Sequence, residues 1–228
     1  PSEKSPLTAI RIAQLAIDKD LWIMSDEPYE RILYEGTHHS IAAIPGMLER
    51  TILLDCFSKM FAMTGWRLGW GATPAWLAEQ IAKLQTNCTS CVVAFTQRAG
   101  IAALKGPFDE SEAMVAEFKR RRDVIVDGLN TLPGVTCLRP HGAFYVFPNV
   151  RGTGQDSRAL ATRCMEEAGV AVLSGTAFGE LLRRAVAQPR RGDAQDELGA
   201  PREQQLAIGG AGPVQRVHPD LLRRTEPR

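Results

Sequence analysis

Five polar residues stand just beyond two short apolar runs. Asp26 and Tyr29 follow the run Leu21–Met24, Ser58 and Lys59 follow Ile52–Phe57, and Arg67 comes after Gly65. A lysine placed directly after a strand that fills a core is costly, because burying an ammonium without a partner is disfavoured. Lys59 therefore either turns to solvent or does chemistry. In α/β sheets, ligands bind in the crevice beyond the carboxyl ends of the strands. There, Ser58 and Arg67 suit a phosphate, Lys59 suits a Schiff base with an aldehyde, and Asp26 suits a protonated ring nitrogen. Those needs match pyridoxal phosphate, which is held by a lysine Schiff base and an acidic partner at its pyridinium nitrogen.

Taken singly, each residue has a plainer reading. A strand-end lysine usually snorkels to the surface. Asp26 reads as a helix cap, Tyr29 as core, Ser58 as a turn cap and Arg67 as an ion-pair partner. Phe144, in "GAFYVFPNV", reads as core. The joint pattern, not any one member, points to the cofactor.

The elements that must position these residues alternate. Leu7, Ile10, Ala13 and Ile17 recur at helical spacing, and "LWIM" reads as a strand. Thr51–Phe57 and Arg67–Pro74 read as further strands. Thr73 is expected to cap a helix with Pro74 at its first position and Leu77, Ile81 and Leu84 on its apolar face. A long helix is expected from about Ser111, with Met114, Phe118, Ile125 and Leu129 on one face. Its "KRRRD" run (Lys119 to Asp123) then lies mostly on a solvated face. "LPG" stops that helix, Gly142–Val150 is expected as a strand, Ser157–Ala168 as an amphipathic helix, and Val170–Gly179 as a last strand and turn. Strands alternating with helices indicate an α/β sheet covered by helices.

Composition narrows the class. The chain has 228 residues, 44% hydrophobic and 23% charged, with a net charge of +1. That is the profile of an ordinary soluble globular protein, with nothing that calls for nucleic acid or a membrane surface. No apolar run approaches a membrane span, and no leader pattern opens the chain. Five cysteines without framework spacing fit a reducing cytoplasm. Cys88 and Cys91 form a CxxC, but no second pair completes a zinc tetrahedron. His38 and His39 are adjacent and read as a surface loop, so no metal site is expected. "GTGQD" (Gly152 to Asp156) reads as a turn. Residues 181–228 contain no Lys, Phe, Tyr or Trp but nine Arg, and are expected to be poorly ordered.

"SDEPYERILYEG", "FSKMFAMTGWRLGW" and "PHGAFYVFPN" resemble the class I, fold type I aminotransferases, near the bacterial aspartate aminotransferase branch. The likeness runs from about Ile10 to Gly179. It implies an α/β fold: a partial large domain with a mixed sheet, plus a small C-terminal α/β domain. It implies that Lys59 forms the Schiff base, Asp26 binds the pyridine nitrogen, Tyr29 bonds the cofactor's phenolic oxygen, and Ser58 and Arg67 hold the phosphate. Phe144 is implied near the substrate. Amino-acid and 2-oxo-acid substrates, with aspartate as leading donor, and a homodimer are implied as well; "TNCTSC" resembles the family's dimer-interface loop.

The expected division is 1–107 for the remainder of the large domain, 108–180 for the small domain and 181–228 for an atypical tail. The family's glycine-containing phosphate turn and ring-stacking aromatic have no counterpart after Pro1. Arg183 and Arg184 lie where a carboxylate-binding arginine is sought, and neither is assigned the role. Three readings follow: a transferase moving an amino group, an aminotransferase-like sensor domain of a transcription regulator, or an inactive remnant. Fold does not choose among them.

Overall fold

The computed structural model describes residues 6–178 and 206–207. These pack as two compact units. One holds residues 6–116 and 141–143, and the other holds 117–140, 144–178 and 206–207.

The first unit is built on a three-stranded mixed sheet in the order β1-β2-β3. β1 (Ile23–Asp26) pairs in parallel with β2 (Thr51–Cys56), from Ile23 opposite Thr51 to Asp26 opposite Leu54. β3 (Gly69–Ala72) runs antiparallel to β2, with Leu53 opposite Ala72 and Cys56 opposite Gly69. Thr51 is fully buried where β2 begins. Thus the fold is α/β with a mixed sheet, as expected for fold type I.

α1 (Pro6–Asp18) lies where the periodicity places it, but on a different face. Ala9, Ala13 and Ala16 are the buried residues, and Ala13 and Ala16 join Ile41 and Met47 in one core cluster. Of the expected stripe only Ala13 is inside; Leu7, Ile10 and Ile17 are 69%, 52% and 45% exposed. An alanine face lets the helix come close to its neighbours, and the larger residues of the same helix then turn outward. α2 (Ala75–Thr89) departs in the same way: Ala82 is buried, Leu77 half-buried, and Ile81 and Leu84 exposed. Its N-cap is Pro74 without a side-chain cap bond, not Thr73, whose buried Oγ1 has no hydrogen-bond partner.

α3 (Ala94–Lys105) has no counterpart among the expected elements. Its buried residues are Thr96 and Gly100, too small to show as an apolar stripe. Gly100 is in close packing there. A Cβ at that position would collide with Leu68 Cδ2 and stand 3.3 Å from Phe57 Cζ. Phe57 and Leu68 form a second core cluster with Val92, and Phe61, Trp70 and Ile101 pack on it.

α4 (Asp109–Asn130) matches the expected long helix and begins with Asp109, Glu110 and Glu112, acidic side chains suited to a helix N-terminus. In the second unit, its Val126 joins Cys137 and Val146 in a core with Ile125 and Leu129 packed against it. The basic run is not wholly solvated. Arg120 and Arg121 are exposed and hold the Glu117 carboxyl down to about 2. Arg122 is buried, donating 2.8 Å to the Pro140 carbonyl and 3.0 Å to Asp123.

Gly142–Val150 is not a strand. It forms isolated bridges, Leu33 with Gly142 and Thr136 with Asn149. Two residues explain this. Ala143 sits at φ 57°, off the extended conformation, and Pro148 has no N–H to give to a ladder. α5 (Ser157–Ala168) is as expected, capped by the Asp156 side chain accepting from the Arg158 and Ala159 N–H groups and ended by Gly169 at φ 66°. β4 (Leu173–Ser174) pairs antiparallel with β5 (Leu206–Ala207). Otherwise the expectation of a poorly ordered tail over 181–228 lies outside the described residues.

Candidate active site

Parallel pairing of β1 and β2 brings their carboxyl ends to the same side of the sheet. Asp26 is the last residue of β1, with its side chain exposed. The ladder runs one step further, because the Glu27 N–H donates 2.8 Å to Leu54 O. A tight turn follows, with Glu30 N bonded to Glu27 O and Ile32 N to Tyr29 O, both at 3.0 Å. That turn carries Tyr29.

Beyond β2, the Phe57 N–H donates 3.1 Å to Leu68 O, and the chain folds back so that Met63 N reaches Phe57 O at 3.2 Å. Phe57, 1% exposed, anchors this turn from below. Lys59 sits within it, 7% exposed, and its Nζ lies 5.9 Å from the centroid of the Tyr29 ring. A cation over an aromatic face is attracted by the ring's quadrupole. Ser58 is half-buried beside it in sequence. Arg67 closes the turn Thr64–Trp66 in the left-handed conformation, at φ 52° and ψ 48°, and its Nη1 donates 2.7 Å to Thr64 O. Asp26, Tyr29, Ser58, Lys59 and Arg67 therefore all belong to the first unit. Phe144 belongs to the second, with its ring 5.2 Å from that of Phe118 and 5.0 Å from that of Tyr145.

Three carboxylates that were not singled out interact electrostatically, those of Glu27 and Glu30 with that of Asp55, and His38 joins Glu27. Asp55, on β2, has its carboxyl pushed up to about 7. Burial is the main cause, and the like charges of Glu30, Glu27 and Asp26 add to it against the Cys56 N–H bond. Glu27 is 5% exposed, and its carboxylate is bonded to Ser25, Ser40 and His38. His38 is thus half-buried and paired, not a free surface histidine. Among the described residues, potential ligand atoms of Glu27, Glu30 and His38 lie within 4.8 Å of one another. Both Glu27 oxygens already have hydrogen-bond partners, so the cluster reads as a structural knot. The signal for it was present in the carboxylates of "SDEPYE" and in the spacing to "HHS". Cys88 lies in the last turn of α2 and Cys91 beyond it, and all five cysteines are free.

The family model for "Aminotransferase class I and II" matches residues 8–193. The chain belongs to that family. An aspartate aminotransferase of Musicola paradisiaca is 45% identical over 171 residues, which are 74% of this chain and 43% of that protein. An arginine–pyruvate transaminase of Pseudomonas aeruginosa is 42% identical, over 74% of this chain and 43% of that protein. Among solved structures, an aromatic aminotransferase from Pyrococcus horikoshii aligns with a TM-score of 0.74 at 42% identity, covering 77% of this chain and 48% of that one. The chain thus spans less than half the length of these relatives. Class I and II aminotransferases are pyridoxal-phosphate enzymes.

The donor set fits that cofactor. A buried amine, an aromatic ring beside it, a carboxylate at the neighbouring strand end and a guanidinium in the same unit are the groups an aldehyde, a pyridine nitrogen and a phosphate call for.

Proposed function

We propose that the chain binds pyridoxal phosphate through Lys59 and serves transfer of an amino group between an amino acid and a 2-oxo acid. The observation that carries this reading is Lys59 itself: a lysine 7% exposed beyond β2, with its Nζ over the Tyr29 ring. When bound, pyridoxal phosphate supplies an aldehyde carbon for the amine and a ring that withdraws an electron pair from the substrate's α-carbon.

The protein's residues do the rest. Lys59 Nζ would hold the aldehyde as a nucleophile and, as a free amine, would serve as the base for the α-proton. Asp26 would face the ring nitrogen and favour its protonated form by charge pairing. Tyr29 would donate to the phenolic oxygen, and Ser58 and Arg67 would hold the phosphate with a hydroxyl and a fixed positive charge. Phe144 is the residue assigned to the substrate's neighbourhood, on the strength of the "PHGAFYVFPN" match.

Relatives named for aspartate, for aromatic amino acids and for arginine with pyruvate are similar at comparable identity. Aspartate is our leading donor. A homodimer in the cytoplasm completes the reading. The likeness of residues 86–91 to the family's subunit-contact loop supports the first, and five free cysteines support the second. Among the described residues no helix is long and apolar enough to cross a membrane. The large-domain and small-domain division at residues 107 and 108 is part of the same proposal.

The test is chemical. The chain is treated with pyridoxal phosphate and then borohydride, and the peptide carrying Lys59 is weighed. A phosphopyridoxyl mass on that peptide, absent in Lys59→Ala, is expected. A Lys59→Ala chain that still takes one specific label overturns the assignment.

A further inference from the structure

The loop that carries Tyr29 leaves β1 and returns to the same buried carboxylate. Glu27 Oε1 accepts 2.6 Å from Ser25 Oγ inside β1 and 3.0 Å from Ser40 Oγ at the far end of the loop. Its Oε2 lies 2.7 Å from His38 Nε2. Its backbone N–H reaches across to Leu54 O on β2. One residue therefore joins both strands of the parallel pair to residues 38–40, with Pro28, Tyr29 and the turn around them enclosed between.

From this we infer that Glu27 is a positioning residue: through His38 and Ser40 it closes the 27–40 loop and holds the Tyr29 ring against Lys59. The later part of the loop has separate anchors. Ile32 is fully buried, and Tyr34 N donates 2.8 Å to His141 O. The first turn, where Tyr29 sits, runs from Glu27, whose carbonyl accepts from Glu30 N, to Ile32, whose N–H donates to Tyr29 O. Bonds from a buried carboxylate are the strong kind, and removing the carboxylate leaves its buried partners unsatisfied. A Tyr29 ring that drifts by an ångström no longer presents its face to the amine, and placement on that scale matters for reactivity.

The inference rests on Lys59 being the cofactor lysine, so its test carries two readouts. The first is the rate at which pyridoxal phosphate and borohydride label Lys59. The amine condenses with the aldehyde with loss of water, and hydride reduces the resulting double bond to a secondary amine. The second, which needs no cofactor, is hydrogen exchange of the amides of residues 27–40.

Glu27→Ala is expected to label about tenfold more slowly and to exchange faster across 27–40 while the α5 amides stay protected. Glu27→Gln keeps an acceptor for the serines and a polar partner for His38, and is expected within about twofold of the parent in labelling. His38→Ala, altering a partly exposed residue, is expected between the two with little change in melting temperature. Parent-rate labelling in Glu27→Ala, or unchanged exchange across 27–40, overturns the inference. A Glu27→Gln as slow as Glu27→Ala overturns it as well. If the parent chain takes no label at Lys59, the cofactor reading falls instead, and exchange across 27–40 alone decides whether Glu27 holds the loop.

Discussion

Asp26 stands opposite Leu54 in the parallel β1–β2 ladder, so the acidic end of β1 falls just short of the point where β2 gives way to the turn bearing Lys59. Strand pairing sets that relationship, and no loop has to hold it. It separates two functions that can be removed one at a time: the carboxylate on β1 and the amine after β2.

Asp26→Ala is expected to leave borohydride labelling of Lys59 intact, because the amine is untouched. It is expected to slow exchange of aspartate's α-proton with deuterated solvent by on the order of a hundredfold, the usual cost of losing an electrostatic partner to developing charge. The measurement is made on protein that exchanges this proton with Asp26 in place. An unchanged exchange rate in Asp26→Ala would remove the ring-nitrogen role.

Arg67 combines a charge with an uncommon backbone, at φ 52°. Arg67→Gly removes the guanidinium while keeping that backbone accessible. Binding of pyridoxal phosphate is expected to weaken about tenfold, consistent with a lost charge-assisted bond, while binding of pyridoxal, which lacks the phosphate, stays unchanged. Equal losses for both ligands would mean that Arg67 does not read the phosphate.

The Asp55 carboxyl, raised to about 7 from 3.8, makes a pH prediction. Below 3.8 both the folded and unfolded chains carry the proton, and the group is neutral in its effect. Between 3.8 and 7 the unfolded chain gives up the proton and the folded chain keeps it, so stability falls as pH rises, and the full penalty is present above 7. Asp55→Asn is therefore expected to raise stability at pH 8, by on the order of 1–3 kcal/mol, and to change little near pH 3. Denaturant melts at both values check it, and an equal effect at the two would refute the cause.

Gly100→Ala places a methyl against Leu68 and Phe57. Overpacking of this kind costs about 1–3 kcal/mol. Because Phe57 underlies the Lys59 turn, the labelling rate at Lys59 is expected to fall together with the melting temperature. A variant that melts as the parent does would show that α3 can move away freely.

Much of this was legible from residue order, and the gaps have physical causes. β1, β2 and α5 could be read because their apolar runs and caps act locally; Asp156 and Gly169 bound α5 within its own sequence. The placement of Asp26 at the end of β1 and of Lys59 just after β2 was legible because each follows a short apolar run. α3 was not, since close packing through Thr96 and Gly100 leaves no apolar periodicity. α1 and α2 were placed correctly but turned wrongly, because alanine faces compete with larger stripes when a neighbour approaches closely. The bonds around Glu27 were signalled only as nearby carboxylates and a histidine pair, without their pairing. A carboxylate shows its burial only when the loop that folds over it, ending at Ser40, is known.

The unequal connections within the mixed sheet also bear on the order of folding. β2 and β3 are neighbours joined by residues 57–68, whereas β1 reaches β2 only across residues 27–50, which hold just the short turns Ile41–Ala43 and Leu48–Arg50. Closing a longer, largely irregular loop costs more chain entropy, and non-local parallel pairing is the slow step of such topologies. The antiparallel pair is thus expected to assemble first, presenting Lys59 and Arg67 on a formed hairpin, with Asp26 arriving when β1 docks. In a stopped-flow refolding experiment the amine becomes competent for labelling before its acidic partner is in place.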